Sequence, residues 1–408
     1  MRKFYDTLET RSDDERASDI SRDLPRQIAN AQTYAMGFKT SLADVNAGMI
    51  TDMAALAKLP ILRKSDLSSA QSQTPPLGGY STSAPQNIHQ LFQSPGPIYE
   101  MGQRGGDWWR FGRFVHAVGI GAGDIVQNTF SYHFTPAGAM FDNAAAAVGA
   151  SVSAAGPGQT ELQARAAADL RVTAYAGTPD YLNTILIKAD ELGLDLSAIK
   201  SAAVSGGPLF PQIRNAYIDR GIKCLQCYAT ADLGHIAYES DAMDGMIIDE
   251  GVIVEIVTPG TGNPVKDGEI GEVVVTTMNP DYPLIRFATG DLSSMMSGVS
   301  PCGRTNKRIT GWKGRADQAT KVKGMFVRPE QVAQLLERHP EIIKARVEVT
   351  HDGTNDAMTV RLESPADSTD AYAASIQSVL KLRANVDICA PNSLPNDGLV
   401  IADLRDHG

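Results

Sequence analysis

A carboxylate and an arginine each follow a glycine in the last third of the chain. Asp291 comes directly after Gly290, and Arg315 directly after Gly314. Because glycine lets the backbone come close, a buried carboxylate beside such a turn can accept hydrogen bonds from both hydroxyls of a ribose. Arg315 adds a planar set of donors suited to ribose or phosphate oxygens. Taken alone, each is more often a surface turn or a solvated ion pair, so neither by itself predicts a nucleotide site.

The order of three motifs is more specific than any one of them. Residues 286–292 read R-F-A-T-G-D-L, residues 314–317 read G-R-A-D, and residues 321–330 read K-V-K-G-M-F-V-R-P-E. This succession resembles the adenylate-forming superfamily, and within it the phenylacetate–CoA ligase branch. Residues 58–67, K-L-P-I-L-R-K-S-D-L, resemble the opening of that branch. The resemblance implies an enzyme that activates a carboxylic acid as an acyl-AMP and passes the acyl group to the thiol of coenzyme A.

Two further segments resemble the nucleotide-binding motifs of that family. Residues 205–208, S-G-G-P, follow a predicted strand and precede a predicted helix, where an open α/β sheet binds its ligands. Residues 228–232, Y-A-T-A-D, resemble a motif that contacts adenine, the AMP phosphate and Mg²⁺. The resemblance implies a catalytic role for Asp232, one methylene shorter than the family glutamate. The cofactor-binding residues that it implies are Ser205, Gly206, Gly207, Pro208, Tyr228, Ala229, Thr230, Asp291, Arg315 and Lys321.

An aromatic segment is the candidate acyl pocket. Residues 131–138, S-Y-H-F-T-P-A-G, resemble the segment that lines and gates this pocket in the family. The resemblance implies that the two small residues leave room for a flat ring and that His133 takes part in catalysis. A lone histidine in an apolar segment is more often structural, so both interpretations of His133 stay open. The implied pocket residues are Tyr132, His133, Phe134, Ala137 and Gly138.

The chain departs from the family where the phosphates of ATP bind. The family cradles the β- and γ-phosphates with the backbone N–H groups and hydroxyls of an S-S-G-T-T-G-x-P loop. Residues 91–100 read L-F-Q-S-P-G-P-I-Y-E instead, and only Ser94 and Gly96 are kept. Each proline removes an N–H donor, and we expect Glu100 to repel phosphate.

A second departure lies near the C-terminus. The family has a lysine at the end of an S-L-P-x-x-x-G-K loop, and that position falls on Leu399 in this chain. Losing one such electrostatic contact typically costs about a hundred- to a thousandfold in rate. Two alternatives stay open. The chain is an acyl-CoA ligase-like enzyme that adenylates slowly or by another geometry, or it is a non-catalytic or half-reaction member that binds an AMP, acyl or CoA ligand.

The four cysteines predict neither a disulfide framework nor a metal centre. Cys224 and Cys227 fall on one predicted strand, three residues apart. They should therefore face opposite sides of the sheet and pack as core thiols. Some members of the family hold a structural zinc near the position of Cys302, but a single cysteine is too little for a tetrahedral site.

Composition restricts the class of protein. A chain of 408 residues is too long for one ordinary core, so we expect two domains. The net charge of -10 argues against a nucleic-acid partner, which needs a concentrated basic face. Residues 1–21 are polar rather than signal-like, and no apolar run reaches about eighteen residues, so we expect a cytoplasmic protein without a membrane partner. The resemblance adds ATP or AMP, Mg²⁺ and CoA as cofactors, a small carboxylic acid as substrate, and a homodimer.

The candidate site residues must be positioned by predicted strands and helices that alternate along the chain. Their succession between residues 90 and 235 predicts crossover units on a mainly parallel sheet. We therefore predict an α/β large domain, residues 1–316, with a small strand-rich subdomain, followed by a small mobile α+β domain, residues 317–408, hinged at Asp317 as the family implies. The predicted strands include 124–128, 151–155, 172–176, 201–205 and 222–228, and the predicted helices include 140–148, 160–170, 211–220, 329–338 and 369–382, with a loop at 68–86.

Overall fold

A computed structural model describes most of the chain. The described residues are 3–94, 97–259, 262–316, 320–322, 325–351, 356–365, 369–391, 393–395 and 400–405. The chain divides into two compact units: Met1–Glu269 with Val273–Thr289 and Ser294–Gly311, and Ile270–Glu272 with Gly290–Ser293 and Trp312–Gly408. The predicted boundary after residue 316 lies slightly beyond this division. The predicted hinge at Asp317 lies outside the described residues, so the two-domain boundaries stay predictions.

The first unit begins with helices. They are α1 (Asp13–Tyr34), α2 (Met36–Ser41), α3 (Met53–Leu56) and, after the short strand β1 (Leu62–Arg63), α4 (Lys64–Gln73). Helix α1 starts at a capping box, because the Ser12 side chain accepts from the Glu15 N–H while the Glu15 side chain accepts from the Ser12 N–H. The predicted loop at 68–86 was wrong at its start, since α4 continues to Gln73.

The predicted crossover units follow. After the hairpin β2 (Gln90–Ser94) and β3 (Ile98–Gly102) come α5 (Gly112–Val118), β4 (Ile125–Asn128), α6 (Ala137–Val148), β5 (Ser151–Ala154), α7 (Thr160–Asp169), β6 (Ala174–Gly177), α8 (Pro179–Glu191), β7 (Ser201–Val204), α9 (Pro211–Asp219) and β8 (Lys223–Thr230). Strands β5, β4, β6, β7 and β8 are neighbours in that order and run parallel. Successive residues of β7 pack into different apolar clusters, Ala203 on one face and Val204 on the other. Burial on both faces is what a parallel sheet requires, and the predicted α/β class is confirmed.

Further strands extend this sheet. They are β9 (Gly234–Tyr238), β10 (Met246–Ile248), β11 (Val252–Val257), β12 (Ile270–Thr277), β13 (Phe287–Met296) and β14 (Arg308–Ile309), in the order β11-β12-β13-β14-β10-β9-β8 within the described residues. The pairs β8–β9, β9–β10, β10–β14 and β13–β14 are antiparallel. The N-terminal strand β1 pairs in parallel with β13, with Leu62 opposite Phe287. The strand-rich part is thus joined to the parallel sheet through β8 and β9.

The second unit contains the α+β elements of the C-terminal part. They are β15 (Thr320–Val322), β16 (Met325–Val327), α10 (Pro329–Arg338), β17 (Lys344–His351), β18 (Asp356–Glu363), α11 (Asp370–Leu380), β19 (Asn385–Cys389) and β20 (Ile401–Asp403). Four of these strands form a sheet in the order β19-β18-β17-β20. Helix α10 matches its predicted bounds, whereas β19 and β20 were not predicted.

One buried arginine connects distant parts of the first unit. Arg286 lies just before β13, with only 2% of its surface exposed and with a left-handed φ of 48°. Its guanidinium donates to both carboxylate oxygens of Glu255 on β11, at 2.9 and 3.1 Å. It also donates to the carbonyl oxygens of Ala57, Leu59 and Gly262. Arg286 therefore anchors the segment before β1, the strand β11 and the turn after it.

This network predicts a large loss of stability when the guanidinium is removed. Arg286→Met keeps an unbranched side chain but leaves the Glu255 carboxylate buried without its cation. We expect the free energy of unfolding to fall by about 3–5 kcal/mol, measured by urea denaturation. Arg220→Met is the control, because Arg220 forms a half-exposed pair with Asp190, and its loss should stay below about 1 kcal/mol. Equal losses in the two variants would contradict the anchoring role of Arg286.

Candidate active site

The turn at residues 205–208 lies at the carboxyl end of β7, as predicted. The Ser205 hydroxyl donates to the carbonyl of Cys227 on β8 at 3.1 Å, and the Ser205 N–H donates to the carbonyl of Gly177 at the end of β6. Gly206 has a φ of 75°, which a side chain would strain. The sequence therefore makes a tight turn that joins the ends of three neighbouring parallel strands. Pro208 follows within the same turn, before α9 begins.

The next predicted segment closes β8. A register shift between Tyr228 and Ala229 marks an irregularity in the pairing of β8 with β9. The Tyr228 hydroxyl donates to the hydroxyl of Thr289 at 3.1 Å, and the Thr230 hydroxyl accepts from the N–H of Leu233. The structure thus brings Tyr228 to the threonine of the T-G-D motif, which lies far away in the sequence. Thr230 stabilises the turn that leads into Asp232.

Asp232 is buried and paired with a lysine. Its side chain is 1% exposed, and the Lys64 ammonium lies 3.1 Å from Asp232 Oδ2. Lys64 is the first residue of α4, so the N-terminal segment contributes directly to this part of the site. We did not predict a role for Lys64, although it belongs to the K-S-D-L opening that resembles the family. The other oxygen, Asp232 Oδ1, has no hydrogen-bond partner among the described residues.

The hairpin that replaces the family phosphate loop carries a buried acid. Ser94 on β2 donates its hydroxyl hydrogen bond to Glu100 Oε1 on β3, and Glu100 is fully buried. Burial, together with the nearby charge of Asp232, raises the pKa of Glu100 to about 8. A pKa of about 8 favours the protonated carboxyl at neutral pH. The expectation that Glu100 repels phosphate stays a prediction. Gly96 lies outside the described residues.

Gly290 and Asp291 meet Trp312 and Arg315 within the second unit. Arg315 donates to Asp291 Oδ1 at 3.2 Å, and the indole N–H of Trp312 donates to the same oxygen at 3.1 Å. Gly290 has a φ of 75°, and a Cβ added to it would lie 2.7 Å from a guanidinium nitrogen of Arg315. Only glycine lets the arginine pack across this turn. Trp312 was not predicted, because nothing in its local sequence distinguishes it from a surface aromatic.

The aromatic segment before α6 forms an exposed loop. The Tyr132 hydroxyl donates to Asp142 and accepts from Asn128, and burial together with Asp142 raises the pKa of Tyr132. The Phe134 carbonyl accepts from the N–H of Gln93 on the hairpin, at 2.9 Å. His133 is exposed and its ring contacts that of Phe134. The loop is thus tied both to α6 and to the hairpin.

The two small residues at the start of α6 serve the packing of this loop. A Cβ added to Gly138 would lie 2.7 Å from the Ser131 carbonyl oxygen and 2.9 Å from the Tyr132 ring. The space beside Gly138 is therefore filled by the loop itself, whereas we expected it to accommodate a substrate ring. Ala137 is the first residue of α6 and is partly buried. The assignment of these residues to an acyl pocket stays a prediction.

The two residues with implied catalytic roles have different surroundings. Asp232 is buried beside Lys64, whereas His133 is exposed on its loop. Lys321 lies in β15, and its side chain is not among the described ones.

Cys224 and Cys227 are buried free thiols in different apolar clusters, which confirms their predicted packing on opposite faces. No helix in the described part of the chain is long and apolar enough to span a membrane.

Comparisons with known proteins agree with these motifs. Residues 109–279 match the family of AMP-binding enzymes. A phenylacetate–coenzyme A ligase of Aromatoleum evansii is 27% identical over 369 residues, covering 84% of this chain and 82% of the relative. The enzyme of the same name from Escherichia coli (strain K12) is 28% identical over 378 residues, covering 88% of this chain and 84% of the relative.

A solved structure of a 2-hydroxyisobutyryl-CoA ligase in complex with R3-HIB-AMP shares the fold. Its TM-score is 0.84 at 22% identity, and the match covers 98% of this chain and 92% of that protein. At 22% identity this likeness shows that the two proteins share a fold, and no more than that. The order of the motifs, the matching region and the curated relatives together make the chain similar to AMP-binding enzymes and, among them, to phenylacetate–coenzyme A ligases.

Proposed function

We propose that the chain is an AMP-forming acid–thiol ligase that activates an aromatic or other small carboxylic acid. In the first step a carboxylate oxygen of the acid attacks the α-phosphorus of ATP, and the bond to pyrophosphate breaks. In the second step the thiol of CoA attacks the acyl carbon, loses its proton, and releases AMP. The observation that carries the proposal is the Asp291 carboxylate beside Gly290, with Arg315 and Trp312 held at one of its oxygens.

That arrangement suits a ribose. Carboxylates accept charge-assisted hydrogen bonds strongly, and the glycine turn allows a close approach. Residues 205–208 and Tyr228 would contact adenine, as the resemblance implies, and Thr230 would contact the α-phosphate. The curated relatives that carry the name phenylacetate–coenzyme A ligase support an aryl acid as substrate.

Asp232 is the residue that the resemblance assigns to Mg²⁺. Its buried carboxylate has one oxygen without a hydrogen-bond partner among the described residues, which fits a hard cation that prefers oxygen ligands. A bound Mg²⁺ would supply positive charge at the phosphates of ATP. His133 and the loop at 132–134, with Ala137 and Gly138, would contact the acid. A homodimer and a cytoplasmic location stay predictions from the resemblance.

A second candidate function is favoured by the sequence at Leu399. This position, which lies outside the described residues, carries an apolar side chain where the family has its adenylating lysine. A half-reaction enzyme would bind AMP or an acyl-AMP and still form the thioester. Acid-dependent pyrophosphate release, measured with ATP, CoA and a panel of aryl acids, separates the two candidates. Release with any acid supports the ligase, whereas thioester formation from supplied acyl-AMP without pyrophosphate release supports the half-reaction enzyme.

The ribose assignment predicts the behaviour of Asp291→Ala. Because this variant removes the acceptor for both ribose hydroxyls, we expect AMP binding, measured by calorimetry, to weaken by at least about a hundredfold. The fold should persist, as judged by the thermal unfolding temperature. Asp267→Ala is the matched control, since Asp267 is exposed and pairs loosely with Lys307 at 3.8 Å. A folded Asp291→Ala variant that binds AMP as the unmodified chain does would refute the ribose role.

The position of Leu399 predicts a gain of activity. An ammonium there could reach the charge that develops at the α-phosphate, so Leu399→Lys should raise acid-dependent pyrophosphate release by about tenfold or more. Leu404→Lys adds the same charge at an exposed leucine nearby in the sequence and should leave the rate unchanged. If the unmodified chain releases pyrophosphate quickly and Leu399→Lys does not change that rate, another group stabilises the charge at the α-phosphate.

A further inference from the structure

A half-buried acid lies at the end of the parallel sheet where ligands bind. Asp142 is in the second turn of α6, and its Oδ1 atom accepts from the Tyr132 hydroxyl and, at 3.4 Å, from the Asn128 amide. Asn128 is the last residue of β4, so these contacts place Asp142 beside the carboxyl end of that strand. Open α/β sheets bind their ligands in the crevice outside this end. Asp142 is therefore placed where a ligand of this sheet would come.

The loop before α6 also packs against the turn that contains Gly206. A Cβ added to Gly206 would lie 3.7 Å from the Phe130 ring. That ring stacks on Phe141, the residue before Asp142, with 4.6 Å between the ring centres. Two packed rings thus connect Asp142 with the turn that we assign to adenine, and both lie at the carboxyl ends of parallel strands.

One oxygen of the Asp142 carboxylate has no partner in the described part of the chain. The two printed-sequence neighbours in space, Tyr132 and Asn128, both donate to Oδ1, whereas Oδ2 has neither a hydrogen bond nor an ion pair with a described residue. Several acids with buried side chains in the first unit are paired with arginine instead, as Glu250 is with Arg11. Desolvated carboxylates are stabilised by donors or by a cation. Asp142 Oδ2 is thus an acceptor held in a fixed direction and left open.

This oxygen restricts the chemistry of the group that can lie opposite to it. An ionised carboxylate only accepts hydrogen bonds, so the opposite group must donate. An amino or hydroxyl group of a substrate can donate, whereas a methyl group of similar size would desolvate the carboxylate and return no hydrogen bond. A second carboxylate there would be repelled by the charge of Asp142.

We propose that Asp142 is a specificity-determining residue, and that the acid bound by this chain carries an amino or hydroxyl group that donates to Asp142 Oδ2. Tyr132 is a positioning residue, because its hydroxyl holds Oδ1 and so orients the carboxylate. This inference rests on the proposed function for the presence of a carboxylic acid substrate. It adds the substituent that this substrate bears away from the carboxylate that is activated.

The test compares matched phenylacetates on the full chain in the presence of AMP. The 2-, 3- and 4-amino and hydroxy derivatives are titrated by calorimetry beside the corresponding methyl derivatives and phenylacetate itself. We expect at least one acid with a donor to bind about tenfold or more tightly than its methyl counterpart. Asp142→Asn keeps the size of the side chain and one oxygen for Tyr132. It should reduce this preference to about threefold or less, with the affinity for phenylacetate unchanged.

Two further variants separate recognition from folding. Tyr132→Phe removes the hydroxyl that orients Asp142, so the preference for acids with a donor should fall while phenylacetate still binds. Asp169→Asn, at an exposed acid at the end of α7, is the matched control and should keep the preference of the unmodified chain. A merely structural role for Asp142 would weaken the binding of all the acids alike and leave the preference unchanged.

The outcomes separate this inference from the proposed function. A preference that Asp142→Asn removes supports the inference even when the chain releases no pyrophosphate, a result that would remove only the ligase step. Binding of none of the acids, equal binding of each donor and methyl pair, or a folded Asp142→Asn variant that keeps the preference would overturn the inference. Equal pyrophosphate release with every donor and methyl pair would keep the ligase function and overturn the inference alone. Thermal unfolding of each variant checks that lost binding is not lost folding.

Discussion

The first unit depends on the buried guanidinium of Arg286. A charge without water must find a partner for each of its donors, and Arg286 does so with Glu255 and with three backbone carbonyls. These partners come from the segment before β1, from β11 and from the turn after it. The Leu62 N–H in turn donates to the Arg286 carbonyl, which sets β1 beside β13. One side chain thus fixes both the strand that continues to Gly290 and Asp291 and the strand that leads to Lys64.

This role changes how the R-x-x-T-G-D motif is understood. Thr289 accepts from Tyr228 in the first unit and Asp291 accepts from Arg315 in the second, so each stays a ligand-binding candidate. Arg286 at the start of the motif is buried among structural partners instead. A single short motif therefore combines an architectural residue with ligand-binding candidates. Its spacing keeps the arginine in the protein interior, whereas Gly290 and Asp291 are partly exposed.

The sequence predicted the parallel part of the fold well, because short strands there alternate regularly with helices between turn residues. It missed the continuation of α4 to Gln73, since this stretch is rich in serine and glutamine and has little apolar periodicity. Strands β19 and β20 were also missed. Each is only a few residues long, and each is stabilised by pairing with a strand that is distant in the sequence.

The candidate site was predictable where its residues lie in continuous motifs, and not where they meet across the chain. Lys64 is far from Asp232 in the sequence, and no local pattern connects them. The contact between Trp312 and Asp291 depends on the path of the backbone between β14 and Arg315. The raised pKa of Glu100 follows from burial, which a sequence does not state. Pairings of this kind arise only when tertiary packing brings residues together that are distant in the sequence.

A glutamine of α4 joins that helix to the hairpin by two hydrogen bonds. The buried amide of Gln71 accepts from the Tyr99 N–H at 2.8 Å and donates to the Tyr99 carbonyl at 2.7 Å, as an adjacent strand would. Helix α4 begins at Lys64, and the hairpin carries Glu100. Both of these hydrogen bonds would have to break before the hairpin could separate from the helix. The strand that carries Glu100 and the helix that begins at Lys64 therefore form one packed piece of the first unit.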